Sequence, residues 1–231
     1  MRLLAIDTAT QACSVALLDG ETLITRYEEP GRGHAELILP MVDEVLKEGA
    51  LQLKALDCIA VGRGPGAFTG VRIAISVAQG LAFGAGLKIV PVSDLAALAQ
   101  RVADTPDART VVVCMDARMG EVYWAVFEIA PEGLVKLRST EQLSHPDEVQ
   151  LSERGAWVAA GTGWGAYPAM TQRLGGQTGA PTAVHATLLP RAHEIAHLGA
   201  AGWKEGAAVV PEQALPVYLR DRVTHNLSQK T

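Results

Sequence analysis

A glycine-rich segment at residues 62–72, with the sequence GRGPGAFTGVR, has the residue types of an anion-binding loop. Glycine lets the backbone turn sharply and approach another group closely, and the free amide groups at the start of a helix favour anions. The segment is not a Walker A loop, because no Gly-Lys-Ser or Gly-Lys-Thr triplet follows it. Two interpretations therefore stay open, a phosphate-binding loop and a purely structural turn.

A second candidate for chemistry is the HExxH sequence formed by His193, Glu194 and His197, a pattern that zinc proteases carry on a helix. The apolar face of this predicted helix is made by other residues: Leu189, Ala192, Ile195, Ala196, Gly199 and Trp203. We therefore expect both histidines to lie off that face, towards solvent. Because no third ligand is evident downstream, no metal site is predicted, and a zinc protease is kept only as an alternative.

Charge and cysteine content narrow the function classes. The formal net charge of −5, without any run of basic residues, argues against a surface that holds RNA tightly by itself. An indirect role on RNA, with a partner supplying positive charge, stays open. The three cysteines are widely spaced and form no CxxC pair, which excludes a zinc ribbon and suits a reducing cytoplasm. The longest uncharged apolar run, residues 73–87, is shorter than the roughly 20 residues that span a bilayer, so we expect a cytoplasmic protein without a membrane segment.

The spacing of apolar residues predicts the unit βββαβαβα in the first half of the chain. Tight turns join the first three strands into an antiparallel meander, Pro40 either kinks the first helix or marks its start, and Ser93 caps the third helix. The predicted elements are strands at residues 2–8, 13–18, 22–27, 57–62 and 88–92 and helices at residues 34–46, 70–83 and 93–102.

The pattern begins again in the second half, and Asp7 and Asp116 each end the first strand of their half. The elements expected there are strands at residues 109–116, 121–128, 134–139 and 157–160, a short helix opened by Ser144, and helices at residues 167–174 and 190–203. Such internal repetition predicts two lobes with a cleft between them. We expect the first lobe at residues 1–103 and the second at 108–231, with the option that the last segment packs back on the first lobe.

The helix predicted at residues 70–83 is too apolar to face water on every side. Its small residues recur at every fourth position and would permit unusually close packing: Gly70, Ala74, Ala78 and Ala82. Burial by its own lobe and burial by a partner chain are both compatible with this pattern.

Several motifs along nearly the whole chain resemble the TsaB (YeaZ) family. They are IDT with SVAL, HAELILP, GRGPGAFTGVRIAISVAQGLA, DAR with EVY, and PVYLR, in family order. The resemblance implies a two-lobed actin/Hsp70-like α/β fold, which agrees with the repeated βββαβαβα unit. It also implies a chain without catalytic residues that assists the related enzyme TsaD, together with the ATPase TsaE. The product would be N6-threonylcarbamoyladenosine at adenosine 37 of tRNAs that read codons beginning with A.

The same resemblance suggests which residues matter. In the wider superfamily the acid that ends the first strand helps to bind phosphate and metal, so a vestigial nucleotide cleft would involve Asp7, Thr8, Asp116, Gly161 and Gly163. ATP, ADP and metal would belong to the partner subunits, because the HxxxH pair of TsaD is reduced here to His34 followed by Ile38. A kinase-like phosphotransferase that uses this cleft is the alternative.

A partner surface is expected on the helices at residues 34–46 and 70–83. It would contact TsaD, form a homodimer when the chain is alone, and leave tRNA contact to the complex. The residues assigned to it are His34, Leu37, Met41, Arg72, Ser76 and Gln79.

Overall fold

The computed structural model describes residues 1–106, 109–151 and 155–220, which fold into two β-sheets with helices around them. In the first sheet the strand order is β3-β2-β1-β4-β5; β1 to β3 form an antiparallel meander, and β1, β4 and β5 run parallel. The elements of this half are β1 (Arg2–Asp7), β2 (Cys13–Asp19), β3 (Thr22–Glu28), α1 (His34–Glu48), β4 (Cys58–Gly62), α2 (Phe68–Ala85), β5 (Lys88–Val92) and α3 (Asp94–Gln100).

The second sheet repeats this order as β11-β10-β6-β7-β8, with the short strand β9 also pairing with β7. Its elements are β6 (Thr110–Asp116), β7 (Val122–Ile129), β8 (Val135–Leu137), β9 (Gln142–Ser144), β10 (Trp157–Ala160), α4 (Gly163–Ala166), α5 (Ala169–Thr178), β11 (Ala183–His185) and α6 (Ala192–Lys204). Asp7 and Asp116 end the equivalent central strands β1 and β6. The duplicated α/β unit predicted from the sequence is therefore confirmed.

Local chemistry explains two of the helix boundaries. The Ser93 hydroxyl accepts a hydrogen bond from the amide of Ala96 at 3.2 Å, so Ser93 caps α3 as predicted. Gly86 has a φ of 70° and ends α2 in the left-handed conformation that glycine adopts without strain. Pro40 lies inside α1, which begins six residues earlier at His34, so the suggestion that Pro40 marks the helix start is wrong.

Two short strands and one short α-helix of the described residues were not predicted: β9, β11 and α4. The helix expected after Ser144 is a single 3-10 turn at Pro146–Glu148, and its cap is His145 rather than Ser144. Helix α2 is four residues longer than expected, with two more at each end. By length and composition alone it could cross a membrane, contrary to the expectation from the apolar run, although core helices pass the same test.

The last helix of each half packs on the sheet of the other half. Helix α3 lies on β6, β7 and β8, where Leu95 and Leu98 join the core of the second sheet. Helix α6 lies on β1, β2, β4 and β5, where Ile195 joins the core of the first sheet. A lobe boundary near residue 104 stays a prediction. Helices from each side of that residue pack on the sheet formed by the other side.

Candidate functional site in the cleft

A cavity of about 820 Å³ opens between the two lobes. The first turns of α1 and α2 line it on one side, and the turn after β6 lines it on the other. Asp116, Arg118 and Thr162 contribute from the second lobe, and Val217 and Arg220 from the segment that follows α6. This volume is sufficient for a small organic ligand.

Asp7 and Thr8 do not line this cavity, although both were predicted to belong to a nucleotide cleft. Both residues are 0% exposed. One Asp7 carboxylate oxygen accepts a hydrogen bond from the amide of Ala9 at 2.8 Å, and the Thr8 hydroxyl donates to the carbonyl of Gly70 at 2.6 Å. The Thr8 hydroxyl and one Asp7 oxygen are thus engaged by the chain itself, while the other Asp7 oxygen is buried without a hydrogen-bond partner among the described residues.

The glycine-rich loop covers this first turn. A Cβ atom at Gly70 would lie 2.0 Å from the carbonyl oxygen of Thr8, and one at Gly66 would lie 2.4 Å from that of Ala9. No side chain fits at either position, because real Cβ contacts are longer than 3 Å. Two backbone segments approach each other so closely here that glycine is required at both positions. This supports the interpretation of the loop as a structural turn.

A second buried acid, Asp94, meets Asp7 beneath this loop. It is 0% exposed, and one of its oxygens accepts a hydrogen bond from the amide of Gly64 at 2.5 Å. One oxygen of each carboxyl group, Asp7 Oδ2 and Asp94 Oδ1, is buried without a hydrogen-bond partner among the described residues, and two adjoining buried carboxyl groups favour a state in which one of them keeps its proton. Burial raises the pKa of Asp7 to about 6 and, together with the Asp7 charge, raises the pKa of Asp94 well above its ordinary value.

Sequence reasoning missed Asp94. After the cap Ser93, an acid in the first turn of a helix is commonplace, because it interacts favourably with the helix dipole. Nothing in the local pattern distinguishes an exposed first-turn acid from one that reaches the end of β1.

In the second lobe, Asp116 reaches the cavity with Thr162, whereas the two predicted glycines pack behind it. The amide of Asp116 donates to the Thr162 hydroxyl at 3.1 Å, and the Asp116 carboxylate accepts from the amide of Arg118 at 2.9 Å. Cβ atoms at Gly161 and Gly163 would lie 2.4 Å and 2.7 Å from atoms of Cys114. The five residues predicted for a nucleotide cleft are thus not brought together on one cavity wall.

The residues assigned to a partner surface have different environments. His34 lines the cavity, and its Nε2 atom is buried without a hydrogen-bond partner among the described residues. Leu37 and Arg72 are half-buried and Ser76 is exposed. Met41 is only 4% exposed and packs against Cys13, which leaves little of it for another chain.

Gln79 and the small-residue stripe of α2 face inward. The Gln79 amide nitrogen donates to the carbonyls of Pro211 and Ala214 at 3.0 Å and 3.1 Å. The stripe residues are all buried in the core of their own lobe: Gly70, Ala74, Ala78 and Ala82. Of the two explanations for the stripe, burial by its own lobe is the one observed.

The HExxH sequence lies on α6, with the rings of His193 and His197 5.2 Å apart. His197 is exposed but His193 is half-buried, so the expectation that both face solvent holds only for His197. Burial lowers the pKa of His193. Glu194 is only 4% exposed and pairs with Arg191, not with the histidines. Within residues 1–106, 109–151 and 155–220, no three His, Cys, Asp or Glu side chains cluster as metal ligands would.

Comparison with known proteins places the chain. The sequence model of the family described as "TsaD: tRNA N6-adenosine threonylcarbamoyltransferase" matches residues 27–224. The chain is 43% identical over 228 residues to the Escherichia coli K12 protein named "tRNA threonylcarbamoyladenosine biosynthesis protein TsaB", with 96% of each chain covered. A Haemophilus influenzae protein of the same name is 39% identical over 238 residues, covering 97% of this chain and 95% of that protein.

Solved structures agree with these relatives. A structure described as YeaZ from Pseudomonas aeruginosa superposes with a TM-score of 0.87 at 46% sequence identity, covering 94% of this chain and 99% of that chain. A second structure from the same organism, described as similar to peptidase YeaZ, gives the same score and identity over 95% of this chain and 99% of that chain. The two-lobed fold, the near-complete coverage and the level of identity lead to one conclusion: the chain belongs to the TsaB (YeaZ) family, whose members are named tRNA threonylcarbamoyladenosine biosynthesis proteins.

Proposed function

We propose that this chain is a non-catalytic subunit that assists a TsaD-type enzyme, together with the ATPase TsaE, in the cytoplasm. The assembly would form N6-threonylcarbamoyladenosine at adenosine 37 of tRNAs that read codons beginning with A. In this proposal TsaD and TsaE bind the nucleotide and the metal. The net charge of −5 is consistent with tRNA being held by the complex rather than by this chain alone.

The observation that carries the proposal is the burial of Asp7 and Thr8 beneath the chain's own glycine-rich loop. An acid at the end of β1 must face an open cleft if it is to help hold a metal-bound phosphate. Here the backbone of residues 66–70 takes that space, and the two side chains are 0% exposed. A chain with this arrangement is better suited to bind a partner protein through its surface than to catalyse phosphoryl transfer.

The outer face of α2 is the best candidate for that surface. Phe83 is 76% exposed and Phe68 is 55% exposed, and large exposed apolar side chains on one helix are typical of interaction sites. Between them the helix exposes only Thr69, Ser76 and Gly80, and the exposed Gly84 follows Phe83. Glycine inside a helix costs about 0.5–1 kcal/mol relative to alanine. A Cβ atom at Gly80 or Gly84 would meet nothing within 4 Å, so the fold itself gives no reason for either.

Reconstitution tests the proposal. The pure chain, a TsaD protein and a TsaE protein are combined with threonylcarbamoyl adenylate and an unmodified tRNA, and the modified nucleoside is measured by mass spectrometry. We expect no product from the chain alone, product from the full mixture, and a loss of product when the chain is omitted. Product from the chain alone would overturn the non-catalytic role, and undiminished product without the chain would overturn the partner role.

A phosphotransferase is the second candidate, because Asp116 and Thr162 do face the cavity of about 820 Å³. Titration of the pure chain with Mg-ATP by calorimetry separates the two candidates. The subunit proposal expects no saturable binding at millimolar nucleotide. Saturable binding that Asp116→Asn abolishes would favour the phosphotransferase.

A further inference from the structure

Residues 207–220, here called the strap, run from the far edge of the first lobe to the second lobe. Val209 pairs with Ile89 of the edge strand β5 through two backbone hydrogen bonds of 2.8 Å and 2.9 Å. Gln79 of α2 then donates to two strap carbonyls, and Ala214 is 1% exposed within the first-lobe core. The beginning of the strap is thus firmly part of the first lobe.

The middle of the strap passes the glycine-rich loop and the start of α2. The amide of Val217 donates to the carbonyl of Arg63 at 2.8 Å. The Tyr218 ring lies 6.0 Å from the Phe68 ring, and the Arg72 guanidinium stacks on both, 3.2 Å from Phe68 and 4.7 Å from Tyr218. Residues 217–220 thereby line the cavity between the lobes.

The end of the strap reaches the second lobe through Arg220. Its guanidinium donates to the carbonyls of Ala117 and Arg118 at 3.1 Å and 3.4 Å and to the Glu121 carboxylate at 2.5 Å. All of these acceptors belong to the turn between β6 and β7. A guanidinium with several donors in one plane is well suited to hold a turn in this way.

That turn is strained. Arg118 and Met119 have φ angles of 62° and 60°, in the left-handed region that residues with a Cβ atom avoid. Such conformations persist only where surrounding contacts hold them. The Arg118 side chain, 82% exposed, is poorly placed to do so, although it lies 3.3 Å from Asp116. Arg220, with 19% of its side chain exposed, is the half-buried arginine that contacts this turn, and the His145 ring also lies 3.1 Å from the Gly120 carbonyl oxygen.

We propose that the strap is a latch across the cleft and that Arg220 is its clamp. Arg220 holds the strained turn of the second lobe against a segment seated on the first lobe, and so keeps the cavity between the lobes closed at this rim. Loss of the Arg220 hydrogen bonds frees the turn between β6 and β7 and this rim of the cavity, while the beginning of the strap stays bound to the first lobe. This inference does not rest on the proposed partner role.

Amide-resolved hydrogen exchange of the full chain tests the latch. In Arg220→Ala, the amide of Ala117, bonded to the Glu121 carbonyl, should exchange about tenfold faster or more, because its turn opens more often. The amide of Val209, at the other end of the strap, should keep its protection within about threefold. Arg220→Lys retains the charge near Glu121 but not the planar set of donors, and it should give an intermediate rate.

Arg118→Ala is the matched control, because it removes an exposed arginine side chain from the same turn and keeps the Arg118 backbone carbonyl that Arg220 contacts. It should leave the exchange of Ala117 close to that of the unaltered chain. Unchanged Ala117 exchange in both Arg220 variants would overturn the latch, as would equal acceleration by Arg118→Ala. Loss of protection at Val209 in Arg220→Ala would also overturn it, because the strap would then not be seated independently of its clamp.

Discussion

The adjoining buried carboxyl groups of Asp7 and Asp94 are the most unusual residue-scale feature. Their charged neighbours are Glu194, which raises the pKa of Asp7, and Arg63, which lowers that of Asp94, but burial outweighs both. Both folded-state pKa values lie above the ordinary value for aspartate. At pH values between the ordinary pKa and the folded-state pKa values, the folded protein therefore binds more protons than the unfolded chain. The contribution of this pair to the free energy of unfolding is therefore complete below about pH 4 and is lost as pH rises through the folded-state pKa values.

Asp94→Asn tests this linkage, because an amide can donate a hydrogen bond to Asp7 without titrating. The free energy of unfolding is measured by urea denaturation between about pH 4 and 7. The value for the unaltered chain minus that for the variant should fall as pH rises, by up to about 1.4 kcal/mol per pH unit for each proton. Asp104→Asn, at an exposed position, is the control and should give a constant difference. A constant difference for Asp94→Asn as well would show that the pair does not share a proton.

At the scale of elements, helix α2 carries two stripes of small residues, one buried and one exposed. The stripe recognised from the sequence contains Ala78 and faces the lobe's own core, so Ala78→Arg would test folding rather than association. The stripe with Ser76 and Gly80 faces outward. A change at Gln79 would release the strap carbonyls, which makes Gln79→Glu an ambiguous probe of a partner surface.

Ser76→Arg is the cleaner probe of the proposed surface. Placing a long charged side chain between Phe68 and Phe83 should weaken both self-association and binding to TsaD by about tenfold or more, because the charge would be buried unpaired. Folding should be unaffected, since Ser76 is exposed. The control is Gln172→Arg, an exposed position on α5 of the second lobe. Sedimentation velocity measures both associations, and unchanged affinities for Ser76→Arg would exclude this face of α2.

At the scale of the whole molecule, the two lobes are joined by exchanged helices as well as by the strap. Leu98 of the first repeat is buried in the core of the second sheet, and Ile195 of the second repeat is buried in the core of the first. Neither sheet can lose its covering helix without disturbing the other repeat. The lobes should therefore unfold together rather than one at a time.

Leu98→Ala and Ile195→Ala test this coupling. Each should lower the free energy of unfolding by about 2–5 kcal/mol, the range for large-to-small changes in a core. Far-UV circular dichroism and tryptophan fluorescence should report one shared transition midpoint in each variant. Leu137→Ala on β8, where Leu137 is half exposed, should change stability by less than about 0.5 kcal/mol. Separate midpoints in Leu98→Ala would mean that the second lobe unfolds independently.

The sequence by itself determined the repeated strand and helix order, the cap at Ser93 and the family, because these depend on residue periodicity and contiguous motifs. It missed β9 and β11, since three residues are too few for a period to be visible. Only the tertiary structure decided that the glycine-rich loop covers Asp7, that Asp94 meets Asp7, and that Met41 is buried. The same is true of the bond between Gln79 and Ala214, 135 residues apart in the chain. Such contacts depend on how distant segments pack, and local propensity carries no information about that packing.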